Sequence, residues 1–354
     1  MTEREGARAQ QTTLRGSGEP LADRYDVALL DLDGVVYLGG SAIPGAAEAL
    51  AKAAASGMRL AFVTNNASRT PSAIAAQLAG YGIPAQAADV ITSAHAAARL
   101  LAERLPAGAP VLVVGGTGLR AAVRERGLRP VTVASEQPAA VVQGYAPDLS
   151  YSLLAEGGLA VAAGAWFVGT NADVTLPTPH GRQPGNGALC QVIATATGQQ
   201  PQFAGKPEPP LHAEAVARSG ARRPLVVGDR LDTDIESATR AGTASLLVLT
   251  GVTSPPGLLL APPHQRPSYL SEGLDGLLVA HPAVAGEGGR FRCGGWQACW
   301  AGEGGAAQLA LDGSGERADG LRALCAAAWW DGRPGGGEPL AETAVRAALR
   351  TLGL

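Results

Sequence analysis

Two aspartates separated by one residue directly follow an apolar run near the start of the sequence. Residues 27–30 are uniformly apolar, which predicts a parallel strand buried on both faces, and Asp31, Asp33 and Gly34 come next. Parallel α/β sheets bind ligands at the carboxyl ends of their strands. Two such carboxylates suit a division of labour, in which one attacks or binds a cation and the other handles a proton. A simple turn also contains acids of this kind, so the pair alone does not decide the function.

A second polar cluster follows the apolar run 59–63. Thr64 supplies a hydroxyl, and Asn65 and Asn66 supply amides, just ahead of a helix predicted to begin with Thr70 as its cap. Side-chain and backbone donors before a helix N-terminus can bind an anion. An ordinary turn is the competing interpretation.

A lysine and two more aspartates follow later strands. Lys206 precedes a proline, which keeps it out of a helix, and an apolar run at 225–227 leads into Asp229 and Asp234. Together with the first two clusters, these residues are predicted to face one crevice at the carboxyl edge of a sheet.

The chemistry of this set points to a hard cation and a phosphoryl group. Several carboxylates with one lysine and no histidine cluster favour Mg²⁺, which binds oxygen ligands and retains waters and substrate phosphate. With the charge offset by Mg²⁺, one aspartate can attack phosphorus and a second can protonate the leaving alkoxide and then activate water. Asp31 fits the first role and Asp33 the second, while Lys206 and the Thr64 group balance the charge on the phosphoryl oxygens.

The order of strands and helices predicts the fold class. Strand, helix, strand, helix up to about residue 92 indicates a doubly wound parallel-sheet, Rossmann-like α/β core. A second alternation over residues 93–203 indicates a complete smaller α/β unit inserted between two pieces of the first, which is the cap in the domain division below. Its Gly115–Gly118 turn could suggest a dinucleotide site, but it lacks the spacing of that motif, and no acid follows about twenty residues later.

The predicted domains are a disordered leader (1–22), the parallel-sheet core that carries the acidic clusters (23–92 and 204–282), the inserted cap (93–203) and a small C-terminal appendage of unknown role (285–354). Within the cap, the segment from Asn171 through Asp173 to Leu176 is dense in polar and turn-forming residues. It is a candidate wall of a substrate site, with a surface connection as the alternative.

Composition narrows the classes of partner. The chain has 354 residues, a formal net charge of −3 and no run of lysines or arginines, so nucleic acid and anionic membranes are not expected partners. No apolar stretch has the length of a membrane span, and the polar first twenty residues do not have the pattern of a secretory signal. The four cysteines lack metal or disulfide spacing, so we expect a reduced, cytoplasmic protein. The sequence leaves open whether it is a monomer or a homo-oligomer.

The ordered clusters resemble the haloacid dehalogenase superfamily of phosphatases over about residues 24 to 282. The residues that carry the resemblance, in chain order, are Asp31-Leu32-Asp33-Gly34, Thr64, Lys206, and Gly228-Asp229 with Asp234. More narrowly, segments such as Thr64-Asn65-Asn66 and Gly205-Lys206-Pro207 are similar to class IIA, the group of nitrophenylphosphatases, phosphoglycolate phosphatases and glycerol-phosphate phosphatases. In that class a large α/β cap lies between the second and third motifs.

The resemblance implies the roles of particular residues. Mg²⁺ would be held by Asp31, Asp229 and the backbone carbonyl of Asp33, with Asp234 supporting these ligands. Phosphate contacts would come from Thr64, Asn65, Asn66 and Lys206, and the segment Asn171–Leu176, with Asp173, would meet the leaving group.

The substrate is predicted to be a small phosphorylated metabolite. Leu176 lies where vitamin B6-phosphate phosphatases of this class have a histidine, which disfavours a large aromatic substrate. Glycerol 3-phosphate is the leading candidate, because class IIA members with a C-terminal extension resemble this layout. Phosphoglycolate, nitrophenyl phosphate and nucleotides are the alternatives within the class.

Two other classes of function remain. A receiver-like signalling module also gathers aspartates, a threonine and a lysine, but uses its phosphoaspartate as a switch; Asp33 and the long cap favour turnover instead. The last 70 residues could also resemble part of an acetyltransferase, although a structural or regulatory role for them is favoured.

Overall fold

The fold is described from a computed structural model, which covers residues 14–178, 181–301, 308–333 and 340–354. Nineteen strands lie within these described residues: β1 Val27–Leu30, β2 Tyr37–Leu38, β3 Ser41–Ala42, β4 Arg59–Thr64, β5 Val90–Thr92, β6 Pro110–Val114, β7 Arg129–Val131, β8 Ala140–Gln143, β9 Trp166–Gly169, β10 Thr175–Thr178, β11 Gly181–Pro184, β12 Gln202–Phe203, β13 Pro224–Gly228, β14 Ala244–Val248, β15 Tyr269–Ser271, β16 Ala285–Glu287, β17 Arg290–Cys293, β18 Trp296–Ala301 and β19 Gln308–Gly313.

Twelve α-helices are assigned in the same described ranges: α1 Leu21–Arg24, α2 Ala46–Ala55, α3 Pro71–Gly80, α4 Ser93–Ala102, α5 Thr117–Glu125, α6 Tyr151–Ala162, α7 Asn186–Thr197, α8 Pro209–Ser219, α9 Glu236–Arg240, α10 Pro255–Leu259, α11 Arg317–Ala328 and α12 Glu342–Leu349. A π-helical turn, Leu231–Ile235, immediately precedes α9. The described residues divide into two compact units, which are treated separately below.

Unit 1 comprises Met1–Leu38, Ala42–Arg59 and Arg223–Leu354, and it contains a parallel sheet in the order β15-β14-β13-β1. Every residue of β1 and of β14 is buried, as expected for apolar strands covered on both faces. The register pairs Leu30 with Val227, so β1 and β13 end side by side. The sheet therefore brings Asp31 and Asp229, which follow these two strands, to the same edge.

The C-terminal part of unit 1 is an antiparallel sheet in the order β16-β17-β18-β19, with α11 and α12 packed against it. Nine of the twelve residues of α11 are buried. The apolar residues of this part form one core cluster with residues of the parallel sheet and its helices, among them Leu247 and Leu270. The last 70 residues thus share a hydrophobic core with the parallel sheet, and this continuity was not visible in the sequence pattern.

Polar contacts also tie α11 to the parallel sheet. Arg322, only 6% exposed, donates to Asp319 at 2.6 Å, to the carbonyl of Leu270, and to Nδ1 of His281 at 3.2 Å. Because a guanidinium can only donate, Nδ1 of His281 accepts and its Nε2–H donates to the carbonyl of Gly276 at 2.8 Å. Burial, together with the nearby guanidinium, lowers the pKa of His281 below its ordinary value.

Unit 2 comprises Gly39–Ser41 and Leu60–Arg222. It contains a five-stranded parallel sheet in the order β12-β9-β8-β6-β7, an antiparallel hairpin of β10 and β11, and the parallel pair β4 and β5. An ion-pair cluster joins three of its helices: Glu214 of α8, 1% exposed, pairs with Arg99 of α4 and with Arg126 after α5. Buried strands alternating with helices give this unit its own parallel α/β framework.

The α/β class and the parallel sheets predicted from the sequence are confirmed. The cap at α3 is also as predicted, because Thr70 Oγ1 accepts a hydrogen bond from the Ala73 amide at 3.3 Å. The predicted disordered leader is wrong for residues 14–22: Leu14 and Leu21 are buried, and Ser17 forms a β-bridge with His281. Residues 1–13 lie outside the described residues.

The sequence missed several short strands, including β5, β15 and the antiparallel strands β16–β19. β5 and β15 have only three residues each, and the segments around β16–β19 have frequent glycines and no long apolar run. Within the described ranges, every helix is too short or too polar to cross a membrane.

Candidate active site

Asp31 and Asp33 occupy a tight turn at the end of β1. The Asp31 amide donates to the carbonyl of Val227 at 2.8 Å, which continues the parallel ladder by one residue. The turn then closes through the Gly34 amide, which donates to the carbonyl of Tyr37 at 2.8 Å. Asp31 is half-buried and Asp33 is exposed. The turn therefore separates the two carboxylates, one against the sheet and one toward solvent.

Asp229 is fully buried behind this turn. Its Oδ2 accepts a hydrogen bond from the Val252 amide at 2.6 Å, in the loop that follows β14. A Cβ on Gly34, where φ is +81°, or on Gly251 would overlap the Asp229 carboxylate. The loop that contains Gly251 is held to the turn that contains Gly34, because Thr250 Oγ1 donates to the carbonyl of Gly34 at 2.6 Å. Glycine at both positions leaves the carboxylate its space.

Asp234 reaches the same place from the π-helical turn. Its Oδ2 accepts from the Arg230 amide at 3.2 Å, and a Cβ on Gly228 would overlap its side chain. The amides of Asp234 and Ile235 both donate to the carbonyl of Arg230, at 3.1 and 3.2 Å, so the turn is wider than an α-helical one. Such π-helical turns are frequent at functional sites. Here the turn presents a carboxylate, only 1% exposed, toward Asp229.

One carboxylate oxygen from each of Asp31, Asp229 and Asp234 lies within 4.8 Å of the other two. Three carboxylates at this separation repel one another, and the burial of two of them increases the cost of leaving them ionised without a counter-charge. A divalent cation with a preference for oxygen removes that cost. The donor set therefore fits Mg²⁺, and all three residues are among the four metal-site residues predicted from the sequence.

Thr64 and Asn66 form a compact turn in unit 2 at the end of β4. Thr64 Oγ1 accepts from the Asn66 amide at 3.1 Å, and Asn66 Oδ1 accepts from the Ser68 amide and hydroxyl, both at 3.0 Å. In these bonds the Thr64 hydroxyl acts only as an acceptor, so its proton can still be donated to an anion. The turn interpretation and the anion interpretation of this cluster are thus compatible.

Lys206 and Asn65 are joined in the same unit. Lys206 is 7% exposed and its Nζ donates to the carbonyl of Val63 at 3.1 Å. The Asn65 amide bonds the backbone of Lys206, and Asn171 Nδ2 donates to the carbonyl of Asn65 at 2.8 Å. Asp173 Oδ2 accepts from Asn65 Nδ2 at 3.2 Å. The structure therefore brings together residues from three regions that the sequence analysis identified separately, which are Thr64 with Asn65, Lys206, and Asn171 with Asp173.

Leu176 lies in β10, whose register pairs it with Gln183 of β11. It is half-buried, so part of its side chain is accessible. The sequence missed the loop that carries Thr250, Gly251 and Val252 as part of the acidic group. A hydroxyl followed by glycine directly after a buried strand was the available signal.

Residues outside these groups have structural partners. Gly118 lies in the turn Gly115–Gly118, whose glycines could suggest a dinucleotide site. Its amide donates a hydrogen bond to the carbonyl of Ser68 at 3.2 Å, so the turn packs against a neighbouring loop. All four cysteines are free thiols. Burial raises the pKa of Cys190 to about 12 and that of Cys293 to about 11, so neither thiol is a ready nucleophile.

Comparison with known proteins identifies the family. A model described as haloacid dehalogenase-like hydrolase matches residues 28–129, and a second, HAD-hydrolase-like model matches residues 203–277. The D-glycerol 3-phosphate phosphatase of Mycobacterium tuberculosis is 48% identical over 257 residues, covering 73% of this chain and 72% of that protein. The chain belongs to the haloacid dehalogenase-like hydrolase family. The resemblance predicted from the motifs is confirmed.

Solved structures of the family extend the similarity to nearly the whole chain. The glycerol phosphate phosphatase from M. tuberculosis, in complex with magnesium, superposes with a TM-score of 0.83 at 43% identity, covering 94% of this chain and 99% of that one. A 4-nitrophenylphosphatase from Thermotoga maritima has a TM-score of 0.67 at 29% identity and covers 73% of this chain and 98% of that one. These neighbours confirm the class IIA architecture, a parallel-sheet core with an inserted α/β cap.

The C-terminal region has a match of its own. A model described as a GCN5-related N-acetyltransferase like domain covers residues 293–354. In the structure, Gly313 ends β19, and Ser314 and Gly315 lead toward α11. The resemblance to part of an acetyltransferase therefore has support, while the shared core argues for a structural contribution.

Proposed function

We propose that this chain is a Mg²⁺-dependent phosphomonoester hydrolase that acts through an aspartyl-phosphate on a small phosphorylated metabolite. The observation that carries the proposal is the carboxylate cluster of Asp31, Asp229 and Asp234, in which one oxygen of each residue lies within 4.8 Å of the others. The exposed Asp33 follows Asp31 by two residues in the same turn. Family membership makes the enzyme a phosphatase, since the similar curated proteins bear that activity in their names.

The metal would be held by Asp31, Asp229 and the carbonyl of Asp33, with Asp234 supporting them. When bound, Mg²⁺ supplies positive charge that lets a carboxylate approach the phosphate dianion. The backbone arrangement around Gly34 and Gly251 suits this role, because it fixes the position of the Asp229 carboxylate before any ligand arrives.

The reaction proceeds in two displacements at phosphorus. An Asp31 oxygen forms a bond to phosphorus as the bond to the substrate alkoxide breaks, and Asp33 gives its proton to the departing alkoxide. Asp33 then removes a proton from water, the water oxygen bonds to phosphorus, and the bond to Asp31 breaks to release inorganic phosphate. The exposure of Asp33 suits a group that must exchange protons with both an alcohol and water.

We propose that the residues of unit 2 bind the phosphate and the leaving group in this same reaction. Thr64, Asn66 and the ammonium group of Lys206 would offset charge on the phosphoryl oxygens. The segment from Asn171 through Asp173 to Leu176 would contact the leaving group. The low exposure of Lys206 and its bond to the Val63 carbonyl support a fixed ammonium group rather than a mobile surface charge.

Glycerol 3-phosphate is the leading substrate. The D-glycerol 3-phosphate phosphatase is 48% identical to this chain, against 40% for a 5′-nucleotidase from Bacillus subtilis. The apolar side chain of Leu176 cannot make the polar contacts that a histidine would make with a phosphorylated aromatic ring or a nucleobase. Phosphoglycolate, nitrophenyl phosphate and nucleotides are the competing substrates, and we place the enzyme in the cytoplasm, where small phosphorylated metabolites are found.

The receiver-like signalling module is the alternative from another class. It would use Asp31 as a long-lived phosphoacceptor and would have no need of a proton carrier beside it. The exposed Asp33 favours turnover.

The test is phosphate release from a panel of small phosphomonoesters with Mg²⁺, with Asp31→Asn and Asp33→Asn in parallel. We expect turnover of glycerol 3-phosphate by the parent, with each variant slower by at least ~10³-fold, the scale on which loss of a nucleophile or proton carrier acts. Gln191→Ala, an exposed change on α7, is the control. Equal turnover of nucleotides and glycerol 3-phosphate would overturn the substrate assignment, and stable phosphorylation of Asp31 without release would favour the signalling module.

A further inference from the structure

Asn65 is predicted from the sequence to bind phosphate, yet its side-chain amide is engaged within unit 2. Oδ1 accepts from the Lys206 amide at 2.8 Å, while Nδ2 donates to the Lys206 carbonyl and to Asp173 Oδ2, both at 3.2 Å. An amide nitrogen carries two hydrogens, and these two bonds use both of them. A phosphate oxygen would have to displace one of these acceptors.

The Asn65 side chain binds both the amide and the carbonyl of Lys206. Because one amide side chain binds both the N–H and the C=O of the same residue, the base of the lysine side chain is fixed in place. The neighbouring Gly205 shows how close the approach is, since a Cβ there would lie 2.6 Å from Asn65 Oδ1 and 2.6 Å from the Thr170 carbonyl. This pair of bonds therefore requires glycine next to the lysine.

The bond to Asp173 belongs to a chain of contacts that holds the segment 171–173. Asn171 Nδ2 donates to the Asn65 carbonyl at 2.8 Å, and the Asp173 amide donates to Asn171 Oδ1 at 3.2 Å. From the other side, Asn186 Nδ2 donates to the Asn171 carbonyl at 2.8 Å, and the Gly187 amide donates to the Asp173 carbonyl at 2.9 Å. Asn65 is thus the point at which this segment and Lys206 meet.

The adjacent Asn66 differs in this respect. Its Oδ1 caps the turn, whereas its Nδ2 donates no hydrogen bond to any residue that the structure describes. Of the two neighbouring amides, the one with hydrogens to offer an anion is Asn66.

We propose that Asn65 is a positioning residue that couples the leaving-group segment, through Asp173, to the phosphate-binding Lys206. The inference rests on the proposed function, in which Lys206 binds the phosphate and the segment with Asp173 contacts the leaving group. Its consequence is that Asn65 and Asp173 act as a hydrogen-bonded pair, so the effect of changing one depends on the other.

The test exchanges the two side chains. Asn65→Asp places a carboxylate against that of Asp173, and we expect kcat/KM for glycerol 3-phosphate to fall by about 100-fold, as for other small displacements of catalytic groups. Adding Asp173→Asn places the amide at position 173 and the carboxylate at position 65, so that position 173 donates the hydrogen bond and position 65 accepts it. We expect the double variant to recover at least ~10-fold over Asn65→Asp, with incomplete recovery because the donor to the Lys206 carbonyl is still lost.

Inhibition by inorganic phosphate separates positioning from direct phosphate binding. If Asn65 touched phosphate, the new carboxylate at position 65 would weaken inhibition in both Asn65→Asp and the double variant. Positioning predicts that the double variant regains most of the inhibition. Asn66→Asp is the matched control: it adds the same charge one residue along and keeps the oxygen acceptor of the turn, and Asp173→Asn should not rescue it.

A double variant as slow as the product of the two single effects, or one that still binds phosphate weakly, would overturn the proposal. Turnover by the parent enzyme tests the proposed function separately. If the parent released no phosphate from any ester, calorimetry would still measure the binding of inorganic phosphate to the parent, to each single variant at positions 65 and 173, and to the double variant. Those affinities would show whether the exchange restores binding.

Discussion

The acidic group of unit 1 and the amide group of unit 2 are held in place in different ways. Asp229 and Asp234 lie against glycines at 34, 251 and 228, and each carboxylate accepts a hydrogen bond from a backbone amide of a nearby loop. Lys206 and the segment 171–173 are held by hydrogen bonds of side-chain amides that converge on Asn65. In unit 1 the backbone around the carboxylates fixes their position despite their mutual repulsion. In unit 2 the position of Lys206 and of the segment 171–173 depends on hydrogen bonds between side chains and backbone.

The same contrast extends to stability. Unit 1 gains its stability from an apolar core that includes the C-terminal antiparallel sheet and α11. Unit 2 has an apolar core of its own, and its helices also bury His95 and an ion-pair cluster. A substitution in the shared apolar core should therefore act mainly on unit 1. Acid should act on both units, because burial lowers the pKa of His95 in unit 2 and of His281 in unit 1.

The largest expected effect comes from Leu324→Ala in α11. Leu324 is fully buried in the shared core, and removing a buried leucine side chain costs about 2–5 kcal/mol of unfolding free energy. Hydrogen exchange measured by mass spectrometry should show faster exchange in the parallel sheet of unit 1 as well as in α11, with little change in unit 2. Faster exchange confined to residues 285–354 would show that this region is an independent appendage.

The next effect tests the glycine supports with a matched pair of variants. Gly34 and Gly45 have nearly equal φ values, +81° and +79°, but a Cβ at Gly34 overlaps Asp229 whereas a Cβ at Gly45 meets no atom within 4 Å. Both changes to alanine carry the backbone strain of a positive φ, about 1–2 kcal/mol.

Only Gly34→Ala should displace the Asp229 carboxylate, which we propose as a Mg²⁺ ligand, and we expect its kcat/KM to fall by about 100-fold while that of Gly45→Ala changes less than ~3-fold. Steady-state kinetics at saturating Mg²⁺, with thermal unfolding of both variants, checks this. Equal kinetic losses in the pair would mean that strain alone, rather than contact with Asp229, explains the effect.

The smallest effect is the acid sensitivity of unit 2. Burial, aided by the charge of Arg218, lowers the pKa of His95 from 6.5 to about 4. Between these two values the unfolded chain binds more protons than the folded one, so this contribution is complete above pH 6.5 and is lost as the pH falls. Linkage predicts a loss of about 2 kcal/mol at pH 5 relative to pH 7.

Hydrogen exchange of α4 at both pH values measures this loss, and His95→Asn, which keeps an acceptor near the Thr92 amide, should reduce it. His212 of unit 2 also has a lowered pKa owing to burial, and its contribution has the same sign. An unchanged acid response in His95→Asn would assign the sensitivity to other groups.

The two groups also differ in how well the sequence predicts them. Asp31, Asp33, Asp229 and Asp234 were found because each follows a buried strand, and neighbouring parallel strands end at one edge. The contacts of Asn65 could not be predicted, because its partners Asp173 and Lys206 are 108 and 141 residues away. Residue type indicated an amide near an anion site, but only the fold shows which atoms the amide binds.

The C-terminal region shows a further limit of sequence reasoning. Glycines lie in the turns between its strands, and residues such as Leu321 and Trp329 pack into a core shared with strands elsewhere in the chain. A local pattern indicated a small appended domain, because the apolar partners of that region lie in another part of the chain.

Asp31 is proposed to carry the phosphoryl group and Asp33 to move the protons, and trapping the phosphorylated enzyme distinguishes these two roles. Nitrophenolate leaves without needing a proton, so with 4-nitrophenyl phosphate the loss of Asp33 should slow mainly the second step. Acid-quenched Asp33→Asn with Mg²⁺ should therefore accumulate phosphate on the peptide that contains Asp31, while the parent shows it only transiently and Asp31→Asn shows none. Phosphate release by the parent without any phosphoryl group on Asp31 in either protein would contradict the account.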